Sequence, residues 1–419
     1  MDGLAQAAGH ADRETPLKGY CTGLLLPGER KSVEPMAARL APHNVRQKHQ
    51  SLHHLVADAP WDDGALLRRV REDVLPAMQK NGPVRALIVD YTGFPKQGRH
   101  SVGVARQYCG PRGKQDNCQV AVSLSVATDG SSLPIAWRLY VPEIWASDGE
   151  RREKAGIPEP IGFQTKPEIA LEQIRQAVLE GVPTAPVLAD AAYGNDSGFR
   201  EGITKQGLRY AVGVQSSMTV WKAGEGPLPS KLWTGKGRPP SLLQRDAKHQ
   251  PVTVKKLALE LPAGAWEEVY WREGVKKKLH SRFAAVRVRP AHRDYWRREP
   301  HPEEWLLIEW PAHEKEPTKY WLSTLPAETK RKALVGLAKH RWIIERDYEE
   351  LKQELGLGHY EGRGWRGFHH HATLCIAAYG FLVAERNRFS PSAHLGHLGL
   401  SAPQQPPDFR PRGSSSRAA

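Results

Sequence analysis

A mixed α/β fold is predicted by three features of the 419-residue sequence. Short apolar runs at 86–90 and 186–190 have the length and composition of buried strands. The segment 119–127 alternates, and the Asp129-Gly130 turn signal leads into a return strand at 133–141. Between these lie stretches with apolar residues at helical spacing, so strands and helices interleave as in a sheet covered by helices.

The first 80 residues read as helical. Ser32 is placed to cap a helix through Leu40. Asp62 and Asp63 are placed to cap a second helix, whose Leu66, Leu67, Val70 and Val74 recur at three- and four-residue intervals. Arg46, Lys48, His49, His53 and His54 lie between them, which suits either a DNA-binding lead region or a solvated helical cap. The strand at 86–90 closes on Asp90. A helix at 167–180 presents Ala170, Ile174, Ala177 and Val178 on one face and ends at Gly181 and Pro183. The strand at 186–190 closes on Asp190; a helix at 199–205 and a strand at 209–214 follow.

The rhythm breaks at 215–317, where seven of the thirteen tryptophans fall among short β-like runs. Within 271–300 there are ten Lys or Arg against three Asp or Glu. Lys276, Lys277, Lys278 and Arg282, beside Trp271 and Phe283, suit phosphate contact with base stacking; a β insertion with a charged solvent face is the other reading. A strand at 319–323 and a helix spanning 329–355 come next. From Phe389 the composition turns to Pro, Ser and Gly without periodicity, which predicts a disordered tail. The expected regions are therefore 1–80, a core in two parts at 81–214 and 318–387, an insertion at 215–317 and a tail at 388–419.

The net charge of +14 favours a polyanionic partner. The longest apolar run has eleven residues, 374–384, whereas a membrane span needs about 20. No basic segment followed by an apolar block opens the chain, and the four cysteines form no Cys-x-x-Cys, so a cytoplasmic, reducing setting without a zinc finger is expected. Cys109 and Cys118 read as ordinary core or loop thiols. His369, His370 and His371 are consecutive and would point apart on a helix, which argues against one shared metal. Gly235 and Gly237 lack phosphate-loop spacing.

On a continuous helix at about 100° per residue, Glu345 falls about 40° and Lys352 about 20° from Arg341, inside the stripe that also holds Leu334, Leu337, Tyr348 and Leu355. A charge on a buried face is costly unless paired or used. Arg341 and Glu345 are four apart, so a structural ion pair is one reading. The other adds Asp90 and Asp190. Strand ends of neighbouring order meet at one sheet edge, and a helix over that edge would bring Glu345 to both. Three converging carboxylates cannot all ionise unless a cation shares the site, and hard oxygen ligands select Mg²⁺, with Mn²⁺ as a substitute. Two such ions would clamp the attacking and leaving oxygens of a phosphoryl displacement. Arg341 and Lys352 would then face phosphates.

These residues resemble a known family. Arg341-Trp-Ile-Ile-Glu345 with Leu351-Lys352 looks like the signature around the third acid of DDE insertion-sequence transposases. Gly356-Leu-Gly-His-Tyr360-Glu-Gly-Arg363 and 369–374 continue the likeness. Val89-Asp90-Tyr-Thr92-Gly-Phe-Pro resembles the segment of the first acid, and Leu188-Ala-Asp190-Ala-Ala-Tyr193-Gly194 that of the second. The stretch 137–156, with Pro142-Glu143, Trp145-Ala146 and Arg151-Arg152, is similar to the insertion-sequence 701 family of the insertion-sequence-four superfamily. The likeness runs over roughly 18–386. It implies an RNase-H-like core and a β-rich insertion between the second and third acids, for which 154 residues are available. The family's tyrosine three residues before the arginine is absent, since Ala338 stands there.

The resemblance implies a DNA transposase. It would cleave at transposon terminal repeats and join the 3′-hydroxyl to target DNA, with Asp90, Asp190 and Glu345 holding two Mg²⁺. It also implies a homodimer on DNA, a nucleoid-associated location and no membrane. The rivals are an inactive or domesticated DNA-binding copy of the fold and a metal-dependent nuclease without strand transfer. A carboxylate-pair glycosidase is disfavoured by the basic charge.

Overall fold

The computed structural model describes residues 2–272 and 279–389. The tail predicted from Phe389 onward thus lies, except for Phe389 itself, outside the described residues.

The chain opens with helices α1 (Asp2–Ala7), α2 (Glu14–Leu25), α3 (Val33–Leu40), α4 (Val45–His53) and α5 (Asp63–Gln79). Ser32 precedes α3 but makes no side-chain capping bond. Asp62 does cap α5, accepting from the Gly64 amide at 2.8 Å, and Leu66, Leu67, Val70 and Val74 are buried. The strands are β1 (Ala86–Pro95), β2 (Ala105–Cys109), β3 (Lys114–Ala127) and β4 (Ser132–Leu139). After the short helices α6 (Glu143–Ala146) and α7 (Gly149–Ala155) comes α8 (Lys166–Leu179), begun by a Thr165–Glu168 capping box. Then follow β5 (Val187–Ala189), α9 (Ala191–Gly194), α10 (Ser197–Lys205) and β6 (Tyr210–Val214).

The region with the dense tryptophans holds β7 (Thr219–Lys222), β8 (Val252–Thr253), α11 (Val254–Glu260), β9 (Glu267–Arg272), β10 (Leu279–Pro290) and β11 (Glu304–Trp310). The chain then returns through β12 (Lys319–Ser323), α12 (Arg331–His340), α13 (Ile343–Gln353) and α14 (Trp365–Arg388).

The twelve strands among the described residues join one mixed sheet, in the order β2-β3-β1-β5-β6-β12-β11-β10-β7-β8, with β4 on β3 and β9 on β10. β1 runs antiparallel to β3 and parallel to β5, which is parallel to β6. The strands of the insertion do not form a separate sheet: β11 pairs with β12, and β12 with β6. Backbone hydrogen bonding therefore runs unbroken from the core sheet into the insertion.

Two findings differ from the sequence reading. β1 does not end at Asp90 but continues to Pro95, paired with β3 throughout, so Asp90 lies in mid-strand opposite Ser123. And the helix expected over 329–355 is two helices, broken at Arg341 and Trp342. The hydrophobic periodicity hid the break because Ile343 and Ile344 resume an apolar face after it.

The sheet's two faces explain where side chains go. Leu87 and Val89 enter the main core, which also takes Ile169, Ala170 and Ile174 of α8. Ala86 and Ile88 enter a second cluster with Leu337, Ile343 and Ile344. Strand alternation then sends Asp90 toward α13 and Tyr91 toward α8. The N-terminal helices share the main core through α14, whose His369, His370 and His371 are buried. Each histidine has its own structural partners. Leu139 N donates to His369, His370 stacks on Trp61 at 3.6 Å beside Asp63, and His371 pairs with Tyr20. No helix among the described residues is long and apolar enough to cross a membrane.

Candidate active site

The three acids reach one place from three elements. Asp90 is 13% exposed, its Oδ1 accepting from the Tyr91 amide at 2.8 Å. Asp190 leaves the end of β5 and caps α9, accepting from the Ala192 amide at 2.9 Å. That turn needs glycine: α9 lies so close to β6 that a Cβ on Gly194 would collide with the Gly213 carbonyl. Glu345 stands in the first turn of α13, where the helix break has reoriented the chain.

Arg341, within the break, is the hub. It donates to Asp90 Oδ2 at 2.8 Å and to Glu345 Oε1 at 3.4 Å. Burial pulls the Arg341 guanidinium down, but Asp90, Asp190 and Glu345 together hold it above its ordinary value. Burial also pushes Asp90 up to about 6; Arg341 opposes this, Asp190 adds to it, the Tyr91 amide opposes it and Glu345 adds again. The three carboxylates thus act on each other across one guanidinium. Among the described residues no three His, Cys, Asp or Glu side chains are gathered closely enough to enclose an ion as they stand. Oxygen donors on a buried strand, a capping turn and a helix, one of them with its pKa raised chiefly by burial, are chemically suited to a hard divalent cation.

Glu345 is 56% exposed, not turned into the core as the continuous wheel implied. It opens, with Asp190 and Arg341, on a cleft of about 770 Å³ that is also lined by Arg85, Arg272, Lys339 and Arg346. Asp90 does not line this cleft; Arg341 lies between. The acid's exposure is therefore exposure to the cleft.

α13 is pinned by two contacts that the sequence reading did not single out. Buried Asp347 accepts from Ser132 and Tyr379, both at 2.7 Å, and Tyr348 pairs its hydroxyl with Ser123 at 2.5 Å, opposite Asp90. A further omission is Trp342, 50% exposed in the cleft wall, with the Arg272 guanidinium 3.4 Å from its ring centre. The detectable signal was an aromatic residue inside the Arg341–Glu345 spacing, which a continuous helix left without a role.

Lys352 donates to the Gly93 carbonyl at 3.2 Å and lies 5.2 Å from the Phe94 ring centre. Burial lowers its ammonium's pKa, opposed by Cys109 and Asp90. Lys276, Lys277 and Lys278 fall outside the described residues. Arg282 is half-buried on β10, donating to the Trp310 carbonyl at 3.3 Å and lying over its ring. Cys109 and Cys118 are buried free thiols.

A mixed sheet with one acid on a central strand, a second in the turn leaving the next parallel strand and a third on a facing helix is consistent with an RNase-H-like core. A family model described as DDE superfamily endonuclease matches residues 3–278, and the chain belongs to that family. The match contains Asp90 and Asp190 and stops before Glu345. The chain is also 33% identical over 172 residues to the probable transposase for insertion sequence element IS701 of Microchaete diplosiphon. That similarity covers 41% of this chain and 42% of the relative.

Proposed function

We propose that this chain is a transposase: it cleaves phosphodiester bonds at the terminal repeats of a mobile DNA element and transfers the resulting 3′-hydroxyl to target DNA. The observation that carries the reading is that Arg341 donates to both Asp90 and Glu345 while lying within the electrostatic reach of Asp190. Asp90, Asp190 and Glu345 would hold two divalent cations, Mg²⁺ or Mn²⁺. When bound, these ions activate the attacking oxygen and stabilise the leaving one. Burial first, then Asp190 and Glu345, raise the Asp90 pKa to about 6, and a bound cation would favour its ionised, ligating form. Arg341, once off the carboxylates, is a bidentate donor for the phosphate being cleaved. Arg85, Arg272, Lys339 and Arg346 give the cleft the positive lining that a DNA backbone requires.

The regions at 1–80 and 215–317 would grip the ends around a core at 81–214 and 318–387, with Lys276, Lys277, Lys278 and Arg282 as contacts and Lys352 near the site. Pairing of two ends calls for a homodimer on DNA, and the working location is the nucleoid. Cleavage of DNA carrying the element's ends, with Mg²⁺ or Mn²⁺, tests the reading. Asp90→Ala, Asp190→Ala or Glu345→Ala should abolish cutting and leave DNA binding largely intact. Cutting by the wild type without divalent metal overturns it. Cutting without strand-transfer products reduces the protein to a nuclease.

A further inference from the structure

The edge that carries the acids has a second side. Tyr91, next to Asp90, points away from α13, and beside it lies a separate cavity of about 260 Å³ lined by Tyr91, Tyr140, Thr165, Lys166, Ala192 and Tyr193. Ala192 and Tyr193 belong to the turn that Asp190 caps. The cavity is therefore one to three residues along the chain from two of the acids, on the opposite face of the sheet.

Its cation is unusual. The Lys166 ammonium sits 4.2 Å from the Tyr91 ring centre and 5.4 Å from that of Tyr140. It makes no salt bridge or hydrogen bond to a carboxylate among the described residues; the nearby Glu168 carboxylate is held in the capping box by Thr165. Burial lowers the Lys166 pKa, while Cys118 and Asp190 act to raise it. A half-buried ammonium with no carboxylate in direct contact among the described residues can take an anion. The aromatic wall extends outward: Tyr140 meets Phe163 edge-to-face at 6.4 Å, and Phe163 is 44% exposed. A lone cation set among flat, partly open rings matches a phosphate joined to a base, the pairing by which single-stranded nucleic acid is held.

We infer that Lys166, Tyr91 and Tyr140 form a binding site for one unpaired nucleotide, with the phosphate on Lys166 and the base on the rings, that takes a single strand leaving the cleft over the Asp90–Asp190 edge. The inference rests on the proposed cleft as the place where DNA lies. A base inside duplex cannot use the site, because its faces are already stacked on the neighbouring pairs.

The test is metal-free binding of two fluorescent oligonucleotides of the same sequence, one blunt and one with a three-nucleotide overhang carrying 2-aminopurine. Stacking of one base on an aromatic side chain is worth about 1–3 kcal/mol, so the overhang should bind roughly 5- to 160-fold tighter and the 2-aminopurine should be quenched. Lys166→Ala and Tyr140→Ala should erase the preference, while Lys166→Arg and Tyr91→Phe keep most of it. Glu345→Gln, on the other face, should keep it whole even though cutting is lost, which separates this site from the catalytic reading. Equal binding of the two oligonucleotides by the wild type overturns the inference. So does a preference that survives both alanine substitutions, or one lost equally in Lys166→Arg.

Discussion

Replacing Asp90 by Asn tests the electrostatics of the site without removing its shape. In the folded chain the Asp90 carboxyl is pushed up to about 6 from an ordinary 3.8. Between those values the folded state keeps a proton that the unfolded state has released. Stability is therefore fully present below pH 4 and is lost as pH rises through 6. A gap of about 2 units corresponds to about 3 kcal/mol. Asn cannot ionise, yet its carbonyl can still accept from Arg341. The stability of Asp90→Asn relative to wild type should thus grow by about 3 kcal/mol between pH 4 and pH 7.5. Asp347, also pushed up to about 6 by burial, titrates in the same range but is common to both proteins and cancels. Denaturant titrations at pH 4, 5, 6 and 7.5 measure the difference. Adding Mn²⁺ at pH 7.5 should stabilise wild type and not the variant, and wild-type Mn²⁺ affinity should fall about tenfold per unit below pH 6. A stability difference that stays flat with pH would refute the argument that burial and the other acids raise the Asp90 pKa to about 6.

Asp347→Ala strands the hydroxyls of Ser132 and Tyr379 without an acceptor, which should cost about 2–5 kcal/mol in a denaturation experiment; Asp347→Asn, which keeps an acceptor, should cost far less. Gly194→Ala forces α9 off β6 and moves Asp190. It should destabilise by about 1–3 kcal/mol or more and lower cutting beyond what the stability loss explains, as read by assaying at a temperature where the variant is folded. Lys352→Ala should weaken DNA contact or slow cutting without removing metal binding; a loss of Mn²⁺ affinity as large as that of Glu345→Ala, by calorimetry, would contradict the separate roles given to the two residues.

Much of the fold was legible in local pattern. The helices at 63–79 and 166–179 and the strands at 210–214 and 319–323 were visible because each segment's spacing, caps and turn residues agree with one conformation. The candidate acids were legible too, from their places beside apolar strands and within an amphipathic segment. Two local features escaped. The break at Arg341 and Trp342 left no proline or glycine, and an apolar face resumes behind it. The extension of β1 to Pro95 is set by its partner β3, since each residue from Asp90 onward has a ladder neighbour there.

By itself the chain of residues determined the α/β class, the positive charge and which carboxylates were candidates, because these depend on periodicity and composition within short windows. Only the tertiary structure decided that the insertion continues the core sheet through β12, and that Arg341 sits between Asp90 and Glu345. It alone placed Lys166 among tyrosines on the far side of the same edge. The pairings of β12 with β6, of Arg341 with Asp90 and of Lys166 with Tyr91 join residues 75 to 251 positions apart in the chain. No window of sequence contains them, since they follow from which surfaces of distant elements pack together.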